Sequence, residues 1–105
     1  RPMAREINDD EFNEIIKGEK PVVVDFHADW CGPCKVLSPI LDELDSELDD
    51  VEFVKINVDD YPELSGSYEI MAVPTVIMFQ DGEVKNRFSG VQPKETILEK
   101  VSELS

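Results

Sequence analysis

The apolar run Val22-Val23-Val24, followed shortly by Trp30-Cys31-Gly32-Pro33-Cys34-Lys35 and then by an amphipathic pattern, constrains the fold of this chain more than any other stretch. Both cysteines of the protein stand there, two residues apart, where a buried strand gives way to a helix. A sulfur at a helix N-terminus meets unpaired N–H groups and the positive end of the macrodipole, and both favour an anion. The thiolate is the nucleophilic form, so this placement makes the first cysteine reactive near neutrality. The second lies one turn on, within reach of the first.

Other uses of the pair fit less well. A structural zinc site needs four ligands, and the chain offers two cysteines and one histidine, His27. No metal site is therefore expected. A purely structural disulfide would close so short a loop that it removes only about 2 kcal/mol of chain entropy. With 105 residues, 41% of them apolar, the chain can bury a core without such a staple. A reversible redox pair is the better use.

The flanking elements follow from periodicity. Met3 to Ile7 reads as a short edge strand. Asn8 or Asp9 can cap a first helix whose Phe12, Ile15 and Ile16 share one face, with Gly18 as a left-handed stop. Val22 to Phe26 reads as a central strand covered on both faces. Asp25 inside it is anomalous: taken alone it reads as a half-exposed carboxylate at the strand end, whereas burial would disfavour its charge and raise its pKa. Leu37, Ile40, Leu41, Leu44 and Leu48 place the second helix at about Cys31 to Leu48, with a kink expected at Pro39. In the third strand, Val51 to Val58, Lys55 falls on the face opposite Val54 and Ile56. If this strand neighbours the second, Lys55 can pair with Asp25; otherwise it is a surface lysine whose stem lies along the strand. A short helix begins at Pro62, and a strand from Ala72-Val73-Pro74-Thr75 to Gln80 meets the strand Glu83 to Phe88 through an Asp81-Gly82 turn. A last helix near Pro93 presents Ile97, Leu98, Val101 and Leu104. Helices between the early strands imply parallel pairing by right-handed crossovers, and the hairpin adds antiparallel strands. The fold class is α/β, one domain over residues 1–105.

Charge and hydropathy exclude some functions. The 24 acidic residues against 10 basic ones give a net charge of −14, which rules against nucleic acid as a partner. Seven acids and no base fall between Asp42 and Glu52. Such a surface aids solubility and would suit high salt, where screening removes self-repulsion. A melting temperature that climbs from 0.1 M to multimolar KCl more than for an ordinary acidic protein is the expected result of salt adaptation; a flat response would reject it. The longest apolar stretches, such as Val73 to Phe79, are too short to span a bilayer. Arg1-Pro2 reads as a cloning remnant ahead of Met3, and no apolar export core follows, so a cytoplasmic location is expected.

Several separated motifs together resemble the thioredoxin family over nearly the whole chain. They are Val24-Asp25-Phe26 with Ala28, the Trp30 to Lys35 hexapeptide, Pro39, Lys55-Ile56-Asn57-Val58-Asp59, Val73-Pro74-Thr75, the Asp81-Gly82 turn and Gly90. The Gly32-Pro33 dipeptide is similar to that of the reductase branch. The resemblance implies a five-stranded mixed sheet, strands in the order 1-3-2-4-5, with four helices on its two faces. It implies a general protein-disulfide reductase and redox electron carrier. Cys31 would be the attacking thiolate, Cys34 the resolving one, Asp25 the carboxylate that handles the proton of Cys34 through water, and Lys55 its charged neighbour. Pro74 would be cis, with the Val73 backbone pairing with substrate. Trp30, Gly32, Pro33, Val73, Pro74, Gly90 and Val91 would line a shallow groove. No cofactor beyond the Cys31–Cys34 disulfide is implied. The implied partners are disulfide-containing proteins and a flavoenzyme thioredoxin reductase drawing on NADPH or ferredoxin, with the chain itself a monomer away from membranes. His27 and Met71 depart from the family's commoner residues. His27 either packs beside the helix or, when cationic, supports the Cys31 thiolate.

Overall fold

A computed structural model describes residues 4–104. Arg1-Pro2 and Met3 lie outside the described residues; of the strand expected over Met3 to Ile7, Ala4 and Ile7 fall outside the observed strand, which is Arg5–Glu6 (β1). There follow α1 (Asp9–Ile15), β2 (Val22–His27), α2 (Gly32–Glu47), β3 (Glu52–Asn57), α3 (Pro62–Ser67), β4 (Thr75–Gln80), β5 (Glu83–Ser89) and α4 (Lys94–Ser102). The strands form one sheet in the order β1-β3-β2-β4-β5. β3 runs parallel to β1 and β2, whereas β4 is antiparallel to β2 and β5. This is the α/β architecture expected from the alternation of strand and helix patterns.

Helix α1 begins with a local device and ends with a distant one. Asn8 caps α1 with a reciprocal box: its side chain accepts from the Glu11 amide, and Glu11 accepts from the Asn8 amide. Gly18 differs from expectation, because its backbone is not left-handed. α1 ends at Ile16 in right-handed geometry, and the following amides bond three residues back, Lys17 to Glu14 and Gly18 to Ile15. The carbonyls of Ile16 and Gly18 are then taken by the amides of Gly82 and Asp81 in the β4–β5 turn, so no left-handed residue is needed there. That turn carries the positive φ values instead, 55° at Asp81 and 81° at Gly82, as a tight hairpin requires.

Strand alternation divides the core in two. Val22, Val24 and Phe26 face α1 and α3, where Phe12 meets Phe26, Tyr68 and Phe79 at ring separations of 5.5–6.0 Å. Val23 faces the other way, with Phe53, Val76 and Met78, and packs against Leu37, Leu41 and Leu44 of α2 and Ile97 and Val101 of α4. Leu98 of α4 stays largely exposed. Lys94 bonds both Glu43 and Glu47, tying α4 to α2. The sheet edges are modest: β1 has two exposed residues, and β5 exposes most of its side chains, among them Lys85 and Arg87.

Candidate redox site

The site forms where β2 ends and α2 begins. Cys31 is the N-cap of α2, in extended geometry, and its sulfur accepts the Cys34 amide at 3.1 Å in the place usually held by a capping oxygen. Pro33 occupies the first turn, where a missing N–H leaves no bond unmade. Cys31 and Cys34 form a disulfide with their Cα atoms 5.3 Å apart. Both are buried against Ala28, Val58 and Val73, while Gly32 and Pro33 between them are exposed.

A second wall faces the disulfide. The Val73–Pro74 peptide is cis, as expected, and the Val73 carbonyl oxygen lies 3.5 Å from the Cys31 sulfur. The Pro74 carbonyl accepts the Gly90 amide at 2.8 Å, and Thr75 Oγ donates to the Ala72 carbonyl at 2.6 Å. These bonds hold the loop, bring Gly90 against it, and leave Val91 exposed beyond. Trp30 and Val73 line a shallow apolar depression with Ile70 and Met71. Trp30 is 71% exposed and Met71 92%. The Trp30 indole N–H donates to Asp59 at 2.8 Å, and Asn57 accepts the Asp59 amide. Periodicity carried no signal for the anchoring part of Asp59, since it depends on a contact 29 residues away.

On the α2 side of the sheet, Asp25 lies beneath the active-site helix, 2% exposed, and its Oδ1 makes no hydrogen bond to the protein. Burial raises its carboxyl from 3.8 to about 6. Cations at His27 and Lys55 pull in the opposite direction, and Glu6 and Asp42 add to the rise. Lys55 is the register partner of Asp25 across β2 and β3. The two form no direct ion pair, so the coupling acts through space. Asp25, His27, Cys34, Lys35, Ser38 and Lys55 line one open cavity of about 200 Å³. Its polar walls and size suit ordered water.

His27 makes a polar contact across the sheet. Its Nε2 lies 2.9 and 3.1 Å from the two carboxylate oxygens of Glu6 on β1. Among the described residues, no group of His, Cys, Asp and Glu is arranged to hold a metal ion, and no helix is long and apolar enough to cross a membrane.

Comparison with known proteins agrees with this geometry. The family described as thioredoxin matches residues 3–103. A thioredoxin from Rickettsia prowazekii is 42% identical over 92% of this chain and 94% of its own length. Among solved structures, a point mutant of the thioredoxin from Halobacterium salinarum NRC-1 superimposes with a TM-score of 0.89 at 30% identity, over 98% of this chain and 91% of that one. A chain from a study of thiol resolution in yeast mitochondrial 1-Cys peroxiredoxin via the glutathione and thioredoxin systems gives a TM-score of 0.87 at 32% identity, covering 96% and 95%.

Proposed function

This chain belongs to the thioredoxin family and is a thiol-disulfide oxidoreductase, and we propose that it reduces protein disulfides with Cys31 as attacking and Cys34 as resolving thiol. The observation that carries this assignment is the bond from the Cys34 amide to the Cys31 sulfur at the start of α2. In the reduced protein the same donor faces a sulfur that can bear charge, and a charge-assisted bond favours the thiolate.

The Cys31 thiolate attacks one substrate sulfur. A bond forms between Cys31 and that sulfur, the substrate S–S bond breaks, and the first substrate thiolate leaves and takes a proton from solvent. Cys34 then gives its proton to the Asp25 carboxylate through water in the shared cavity. The Cys34 thiolate attacks the Cys31 sulfur, the bond to substrate breaks, and the second substrate thiolate leaves and is protonated. The substrate gains two electrons and two protons, and the protein is left as the Cys31–Cys34 disulfide. Lys55 steadies the Asp25 charge. Trp30, Gly32, Pro33, Val73, Pro74, Gly90 and Val91 offer the surface on which an extended disulfide-bearing segment rests.

No cofactor beyond the cysteine pair takes part, so another protein must re-reduce it; a flavoenzyme thioredoxin reductase supplied by NADPH or ferredoxin fits. Clients would be disulfide-containing proteins, a peroxiredoxin sulfur among them, met by a monomeric single domain. A reducing cytoplasm is the compartment in which such a pair works as a reductant.

Reduction of insulin disulfides with dithiothreitol as electron source tests the assignment. The intact protein should catalyse it strongly, and Cys34→Ser should not. Absence of catalysis by the intact protein, with both thiols shown to be free, would move the reading to a carrier dedicated to one partner.

A further inference from the structure

His27 and Asp25 are two residues apart on β2, on the same face, and both open into the cavity that also holds Cys34. The His27 ring is fixed from β1: a carboxylate only accepts hydrogen bonds, so Nε2 must carry the proton that Glu6 receives at 2.9 and 3.1 Å. The His27 side chain is 14% exposed and that of Glu6 49%, so the ring is sheltered while its anchor remains in contact with solvent.

The charges that face Asp25 come from four elements. Its own strand supplies His27, β3 supplies Lys55, β1 supplies Glu6, and α2 supplies Asp42; its β4 register partner, Val76, carries none. Lys35 and Asp29 complete the charged lining of the cavity. Of the two cations that favour the Asp25 carboxylate, His27 has the larger influence. Histidine is also the side chain whose charge ordinarily changes near neutral pH, which lysine's does not.

We propose that His27, seated by Glu6, is a positioning residue for Asp25: held in the shared cavity, its positive charge beside Asp25 sets the acid limb of the Cys34-driven release step. The proposal rests on Asp25 accepting the Cys34 proton. A protonated His27 keeps Asp25 an ionised acceptor as the solution becomes more acidic. A neutral residue at position 27 leaves Asp25 protonated, and unable to accept, over a wider range.

The experiment mixes the reduced protein with a nitrothiobenzoate disulfide in single-turnover stopped flow. Attack by Cys31 releases one aryl thiolate, and attack by Cys34 releases the second, so the second phase reports the release step across a pH series. Carbon NMR of the Asp25 carboxyl follows its ionisation in the same variants. His27→Gln should move the acid limb and the Asp25 midpoint to higher pH together, with release roughly threefold slower on that limb. His27→Arg, with a permanent charge, should restore both. If both variants alter melting temperature or overall rate but leave limb and midpoint in place, His27 is a packing residue and the proposal is overturned. Asp25→Asn separates the two levels. If that variant keeps the wild-type pH profile, the proton-acceptor reading of Asp25 fails and takes this proposal with it. If it abolishes the limb while His27→Gln leaves the limb unmoved, only the present proposal fails.

Discussion

Cys31→Ser should lower disulfide-reduction activity by at least about a thousandfold, because a serine hydroxyl at the α2 N-cap is not ionised at neutral pH and does not exchange with a disulfide. The fold should survive, since serine is itself a good N-cap and its oxygen can accept the Cys34 amide as the sulfur does. Cys34→Ser should behave differently. It should attack once, release one equivalent of substrate thiol, and remain joined to the other half through Cys31. Mass spectrometry of the two variants after incubation with a disulfide protein separates these outcomes. A stable adduct on Cys31→Ser through Cys34, and none on Cys34→Ser, would reverse the assigned roles; the N-cap position of Cys31, where its sulfur accepts the Cys34 amide, argues against that result.

Asp25→Asn should trade function for stability. Burial raises the Asp25 carboxyl from 3.8 to about 6 in the fold. Between those values the folded protein holds a proton that the unfolded chain has lost, so stability falls as pH rises through this window and levels off above it. The wild type therefore carries a penalty of up to about 3 kcal/mol at pH 7 and above, and none below the unfolded value. Asparagine removes the charge and the penalty. Urea unfolding of the oxidised protein should show the variant more stable at pH 8, by an amount worth on the order of 10 °C in melting temperature. The advantage should vanish near pH 3.5, where both carboxyls are protonated. An equal gain at both pH values would mean that hydrogen bonding or packing, rather than burial of charge, is responsible. The same variant should slow release of substrate by Cys34, because its proton acceptor is gone.

The sequence made legible those features whose causes are local. The β-branched run of β2, the helical spacing of Leu37, Leu41 and Leu44, and the Asp81-Gly82 turn each carry their geometry in a few adjacent residues, and all stand in the structure. The burial of Asp25 was only half legible: its neighbours Val22, Val23, Val24 and Phe26 are apolar, but a half-exposed carboxylate near a strand end fits the same pattern, and it is the position of β2 between β3 and β4 that decides for burial. Gly18 was misread because helix α1 ends against a turn more than sixty residues away, and that contact satisfies carbonyls which a left-handed glycine would otherwise serve. The expected pairing of Lys55 with Asp25 held in register but not as a contact. Glu6 was missed altogether. Its meeting with His27 depends on which strand lies at the sheet edge and on the register of β1 beside β3, and no local pattern encodes either. Asp59 was missed for the same reason: its anchoring of Trp30 joins two loops that come together only once β2 and β3 are paired.

The two edges of the sheet bear on how the protein meets its clients. A protein-disulfide reductase meets other polypeptides, whose extended segments can pair with an open sheet edge. Among the described residues β1 offers only Arg5–Glu6, too few to template a ladder, and β5 presents Lys85 and Arg87 along its exposed length. Neither border invites strand addition, so co-aggregation with a misfolded client is disfavoured at the places where sheets ordinarily recruit it. On the proposed reading, contact is left to the loops around the disulfide, away from either border of the sheet.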